Sequence, residues 1–303
     1  MKWQKRGLVY APSGEKSWAR SHAYIPTPDL LNEDVLRIYF TALDEQKLGR
    51  IGYVDLDAND PTRVIAESKD PILDLGPLGA FDDSGVTPSC VLNVNGKKYL
   101  YYVGWQRCER VPYMIFVGLA ISDDGVHFKR ASSTPILDRT NSEPFLRSSN
   151  SVIYDQDRFK TWYVSALSWI HVNDLPIPTY VIRYAESANG IDWQSRDEPA
   201  VAFKNKDEYG LGRPWVFKDH ESYKIWYSIR SRVAPYCIGY AESSDGIHWT
   251  RKDEEVGIDR STEGWDSEMI CFPCVLPIRE RLRMFYNGNR HGSTGFGYAV
   301  SDP

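Results

Sequence analysis

The chain has 303 residues, 42% of them hydrophobic and 25% charged, which is enough to bury a substantial core and ordinary for a globular protein. A formal charge of -5 argues against nucleic acid as a partner. Residues 1–14, MKWQKRGLVYAPSG, lack the apolar stretch of a signal sequence, and no later segment approaches a membrane span, so a cytoplasmic chain without a membrane partner is expected.

The first element in chain order, Trp3-Gln4-Lys5-Arg6, opens on an aromatic and has no neighbouring strand to pair with. The rest of the chain is a repeat. The runs LRIYFTA, YLYYVGW, KTWYVSA, KIWYSIR and RMFYNGN share the tyrosines Tyr39, Tyr102, Tyr163, Tyr227 and Tyr286, a period of about sixty residues. A second run precedes each copy (TPDLL, PSCVL, SNSVI, RPWVF, FPCVL), and a third comes after it (IGYVDLD, VGLAISDDG, IRYAESANG, IGYAESSDG, FGYAVSDP). Alternation and the wealth of aromatic and β-branched residues mark all of them as half-buried strands. Asn95-Gly96, Asp124-Gly125, Asn189-Gly190 and Asp245-Gly246 supply the turns. A short fourth strand is expected from Phe128, Trp193 and Trp249, and in the first copy over Thr62 to Ser68.

Four short antiparallel strands repeated five times predict an all-β fold, a five-bladed β-propeller forming a single domain over residues 1–303. The fifth copy ends before its fourth strand. Residues 3–10 match the missing piece, so the N-terminal strand is expected to complete the last blade and remove its open edge. The five cysteines, Cys90, Cys108, Cys237, Cys271 and Cys274, include one CxxC pair without a second pair of ligands. All five read as reduced, and the CxxC pair as buried strand residues, with no metal and no cofactor.

On the face where inner strands begin, the loops are long and varied, which is where a rigid scaffold carries function. Each copy offers a titratable group seven to nine residues ahead of the inner-strand reference residue: His22, Asp83, Glu143, Glu208, Asp266 and Glu268. Carboxylates converging on an enclosed site can split their pKa values and divide acid and base work. Asp83, Glu208 and Glu268 are the catalytic candidates, with Glu208 as acid and Asp83 as base. His22, Asp82, Glu143 and Asp266 would orient hydroxyls, and Arg147 and Arg213 would hold a charged group or lower a neighbouring acid's pKa. The loops between second and third strands add Trp105, Trp169, His171, Arg290 and His291 as a sugar-binding set. For any single acid, turn capping or pairing with Arg147 or Arg213 is an equal alternative.

The stretches PSCVLNVNGKKYLYYVG and AESSDGIHW resemble the five-bladed glycoside hydrolases of families 43, 32, 68 and 130. PILDLGPLGAFDDSGVTPSCV, GWDSEMICFPCV and NGNRHGSTGFGYAV are similar to glycosidase-like proteins of bacterial surface-polysaccharide clusters. The resemblance implies a carbohydrate-active enzyme and a saccharide substrate. Its acid triad is not carried over: the first place falls in SHAYIPTPDLL, with no acid there unless Asp29 substitutes, the second on Ser149 and the third on Gly212. Three readings are open: a paired-carboxylate, inverting glycoside hydrolase; a phosphorylase or other enzyme of sugar phosphates or nucleotide sugars; and a non-catalytic glycan-binding propeller. The oligomeric state is left open.

Overall fold

The computed structural model describes residues 1–302 except Asn173 and Glu221. Strand β1 (Trp3–Tyr10) leads into four units of four strands. The first is β2 (Ser21–Leu30), β3 (Val35–Leu43), β4 (Gly49–Asp57) and β5 (Val64–Glu67); the second is β6 (Gly85–Val94), β7 (Lys97–Arg107), β8 (Tyr113–Ser122) and β9 (Lys129–Arg130). The third is β10 (Arg147–Asp155), β11 (Arg158–Val172), β12 (Leu175–Ser187) and β13 (Gln194–Ser195); the fourth is β14 (Glu208–Asp219), β15 (Ser222–Ser231), β16 (Cys237–Ser243) and β17 (Thr250–Arg251). The chain ends with β18 (Cys271–Ile278), β19 (Arg281–Asn287) and β20 (Phe296–Ser301).

Within each unit the strands pair antiparallel in chain order. β18 to β20 form a three-stranded meander whose outer edge pairs with β1, Trp3 lying opposite Ser301. The missing strand is thus supplied by the other end of the chain. Trp3 is drawn inward, donating from its indole nitrogen to the Val256 carbonyl at 2.9 Å and meeting the Trp226 ring edge-on. The fourth strands begin one residue later than the aromatics that announce them, because those rings leave the ladder to pack. Trp249 meets Trp162 edge-on, and Phe128 meets Tyr39.

The first strand of each unit touches the first strand of the next, from β2 through β6, β10 and β14 to β18, and β18 touches β2 again. Single parallel bridges link third strands to the next unit's first strand, as at Gly49 with Gly85 and Tyr180 with Gly210. Among the described residues the sheets do not close by hydrogen bonding. Apolar layers lie between neighbouring units: Tyr39, Ile51 and Leu73 pack against Val86, Leu100 and Tyr102, and Leu211 and Ile225 against Trp162 and Ile182. This nearly all-β arrangement is consistent with a propeller. Among the described residues no helix is long and apolar enough to cross a membrane.

Every first strand is broken by a register shift near its start. In four of them a residue other than glycine sits in the left-handed region: Ile25 (φ 55°), Ser149 (φ 42°), Arg213 (φ 51°) and Phe272 (φ 55°). Strain of this kind costs on the order of 1–3 kcal/mol per residue and persists only where surrounding structure enforces it. Bulges also re-aim side chains. These four residues share a destination.

Candidate functional site

Ile25, Ser149, Arg213 and Phe272 all line one cavity of about 480 Å³ at the start of the first strands. The second and third strands add Trp105, Val164 and Arg230, and Tyr113 and Tyr180, to its walls. The three places where the resemblance puts an acid triad fall here, since Tyr24, Ile25, Ser149 and Gly212 belong to the lining. Among the described residues no aspartate or glutamate does.

The lining is instead basic and aromatic. Arg213 forms the floor, 1% exposed. Its guanidinium reaches across to other units, donating to the Ser89 carbonyl at 2.7 Å, the Thr27 hydroxyl at 3.0 Å and the Pro26 carbonyl at 3.3 Å. Burial lowers its pKa from the ordinary arginine value. Arg230 stands half-buried in the wall, and Lys47 and Arg107 are exposed at the mouth. None of the four is paired with a carboxylate among the described residues. Elsewhere buried bases are paired: Arg37 with Asp55, Arg147 with Glu143 and Lys160 with Asp155. An uncompensated buried charge is costly, and a bound anion removes that cost.

Trp105 is a fixed wall. A β-carbon on Gly85 would lie 2.1 Å from its indole, and one on Gly49 2.9 Å, so both positions need glycine for the ring to lie flat on the backbone. Its other side faces Tyr24, nearly parallel at 6.3 Å between centroids. His291 lies at the mouth, edge-on to Tyr236 at 5.2 Å. His22 stands beside Tyr24, its Nδ1 2.9 Å from the Ser21 hydroxyl. Burial, Lys47 and His291 hold His22 below the ordinary histidine value; desolvation and Arg230 do the same to His291.

The acids ahead of the first strands have a different setting. Asp82 (1% exposed) accepts from the Tyr102 hydroxyl at 3.0 Å and pairs with Arg130 at 2.7 Å. Glu143 (2%) accepts from Tyr163 at 2.9 Å and pairs with Arg147 at 3.3 Å. Asp266 (2%) accepts from Tyr286 at 2.9 Å and pairs with Lys5 of β1 at 2.7 Å. Glu208 (9%) meets Arg251 bidentately at 2.7 and 2.8 Å, while Tyr227 donates to Asp253 beside them. Each repeat tyrosine of units two to five thus ends in a knot of acid and base. Asp83 accepts from the Gly79 amide and the Ser84 hydroxyl, both at 2.9 Å, within its own loop. Glu268 is exposed, with its backbone amide on Asn289 Oδ1 at 2.8 Å. The three catalytic candidates are therefore not brought together in the cavity.

Of the remaining candidates, Trp105, Arg213 and His291 line the cavity. Trp169 packs on Tyr113 at its edge, and His171 and Arg290 are exposed away from the lining. Arg147 lies outside the lining and engages Glu143, the Asp138 carbonyl and Ser195, the pairing with a neighbouring acid that is one of its two expected roles. Sequence reasoning missed Arg230, Tyr180, Tyr236 and Thr87. Arg230 did carry a signal: it is the third residue after a repeat tyrosine, the position that Trp105 occupies in the second copy. Cys271 and Cys274 are buried, and burial raises both thiols, Cys274 to about 12. Among the described residues no three histidine, cysteine or acidic side chains are grouped to hold a metal.

A protein of Mycobacterium tuberculosis (strain ATCC 25618 / H37Rv), Rv1502, described as uncharacterized, is 38% identical over 300 residues, covering 99% of each chain. The chain belongs to the Rv1502 family. No family model matches it. A β-1,2-mannobiose phosphorylase of Thermoanaerobacter sp. (strain X514) is 31% identical over 91 residues, 28% of this chain and 30% of the other. Among solved structures, a glycoside hydrolase superposes with a TM-score of 0.79 at 17% identity over 99% of this chain and 91% of the other. A thermostable family-43 glycoside hydrolase gives 0.67 at 18% over 95% and 90%, and a structure from work on the GH130 family of mannoside phosphorylases 0.72 at 12% over 99% and 94%. At such identities the likeness is one of fold, and the Rv1502 family resembles glycoside hydrolases in that sense.

Proposed function

We propose that residues 1–303 form a single five-bladed β-propeller, closed by β1, and that it is a carbohydrate-active enzyme whose axial cavity takes a saccharide bearing a negative charge. The ring of contacts among first strands supports the five blades. One observation carries the ligand reading: among the described residues the lining holds Lys47, Arg107, Arg213 and Arg230 beside Tyr24, Trp105 and Tyr180, and no carboxylate. Aromatic faces suit sugar rings, and unpaired bases suit an anion. The reaction class this favours acts on sugar phosphates or charged glycans, and the partial likeness to a β-1,2-mannobiose phosphorylase supports phosphate dependence.

The second reading, inverting hydrolysis, is favoured by the fold likeness to glycoside hydrolases. It needs two carboxyl groups roughly 6.5–9.5 Å apart across the sugar. Asp83 and Glu208 would have to leave the partners that now hold them. Calorimetric binding of matched charged and neutral sugars, with turnover measured with and without inorganic phosphate, separates the readings. The charged sugar should bind about tenfold more tightly or better, and lose affinity as salt rises. Equal binding of both, with phosphate-independent release of a neutral sugar, would leave the hydrolase reading standing instead.

A further inference from the structure

Arg230 differs from every paired base in the protein in how it is held. Three tyrosine rings surround its guanidinium, Tyr209 at 4.7 Å, Tyr236 at 5.6 Å and Tyr180 at 5.7 Å from the ring centroids. Nη1 donates to the Tyr180 hydroxyl at 3.1 Å, and Nε is buried without a partner. No carboxylate approaches it among the described residues, and the Tyr113 hydroxyl is a further neutral neighbour of the guanidinium. Arg251 of the same unit lies over one tyrosine ring and is saturated by Glu208 and Asp253. Arg230 thus has the immobilisation of a structural arginine without the anion that normally accompanies it.

A planar fork fixed before the ligand arrives loses little entropy on binding and matches two oxygens of one acid group. The Tyr180 and Tyr236 hydroxyls, 3.5 Å apart, stand beside it as further donors. The half-buried setting strengthens each contact relative to the exposed Lys47 and Arg107.

We propose that Arg230, caged by Tyr180, Tyr209 and Tyr236, is the seat of the ligand's oxyanion, a carboxylate or a phosphoryl group, with the sugar ring extending toward Trp105. This rests on the charged-saccharide reading and adds which residue reads the charge. The test is calorimetry on the full chain with glucuronate, a hexose 6-phosphate and inorganic phosphate as separate probes. R230Q should weaken the bound probe about 30-fold or more, since truncating one partner of a hydrogen-bonded charge pair costs that much. R230K, which keeps the charge and loses the fork, should weaken it about tenfold. K47Q should cost no more than about threefold, as an exposed charge at the rim. Binding of glucuronate alone identifies a carboxylate, and binding of the phosphates alone a phosphoryl group. Should R230Q fail to fold, R230K and Y236F carry the test, because each keeps the cage filled. A wild type that binds a charged probe with R230K within twofold of it, and K47Q much weaker, overturns the seat and leaves the charged-saccharide reading intact. A wild type that binds none of the probes overturns both.

Discussion

An acid ahead of a first strand and a base of the cavity can be near neighbours in the chain, yet the two are treated in opposite ways. Glu208 and Arg213 are five positions apart on β14. Glu208 is bound by two hydrogen bonds to Arg251 and one from the Lys204 amide. Among the described residues Arg213 donates only to neutral oxygens and lies over the Trp215 ring. A charge whose partner is built in contributes to architecture, because both desolvation costs are offset within the chain. A charge left among neutral groups is offset only by something that arrives. The division separates the knots that hold the units from the cavity that the units surround.

The largest effect on that division should come from removing residues 1–9. The deletion strips β1 from β20, takes Trp3 out of the core and leaves Asp266 buried without Lys5. Cooperative unfolding should disappear, or the protein should become insoluble. A truncated protein that melts as the wild type does would mean that the fifth unit closes without β1.

Glu208→Gln comes next. It leaves Arg251 facing an amide in place of a carboxylate, and breaking a buried pair costs about 3–5 kcal/mol. Chemical denaturation should show that loss, with ligand affinity at the cavity unchanged. If stability instead stays put and turnover falls, least with acidic leaving groups, Glu208 is an acid catalyst and the hydrolase reading recovers its proton donor.

These knots also show how far the sequence could be read. The tyrosine repeat was legible because Tyr102, Tyr163, Tyr227 and Tyr286 occupy one environment in four units, so one residue type recurs at one spacing. The acids were legible for the same reason and were assigned to a site. Spacing gives an acid's height in its strand, but not the base that meets it. Arg130 and Arg251 are 48 and 43 residues from their acids, and Lys5 is 261 from Asp266. Those distances are crossed only once the units fold. The cavity was harder still to read, because the left-handed backbone at Ile25, Ser149 and Phe272 leaves no mark in residue type: none is a glycine or asparagine.

A smaller effect is expected of Trp105→Ala. Gly85 and Gly49 hold the indole against the backbone, so its removal opens a face of the cavity without disturbing a charged knot. Affinity for a charged saccharide should fall about tenfold, the loss expected of an aromatic anchor. Affinity for inorganic phosphate, which presents no ring, should hardly change. If both fall alike, Trp105 shapes the cavity as a whole and does not stack on a sugar.

The smallest effect is a pH dependence, and it tests whether the cavity's unpaired charge is felt beyond the bases themselves. His22 has its pKa held below the ordinary 6.5 by burial, then by Lys47 and by His291. In the unfolded chain it takes a proton near 6.5, whereas in the folded chain it resists until lower pH. Stability should therefore fall as pH drops through the window between 6.5 and the depressed folded value, and be unaffected above it. An anion in the cavity offsets Lys47 and raises the His22 pKa toward normal. Binding should then take up part of a proton in that same window, and affinity should rise by about threefold as pH falls through it. Calorimetry in two buffers of different ionisation heat reads the proton directly, and His22→Gln should abolish most of the uptake while leaving affinity at pH 8 near that of the wild type. Uptake that survives His22→Gln would place the linkage at His291, whose pKa Arg230 helps to lower; no uptake at all would mean that an anion seated at Arg230 is not felt at either histidine.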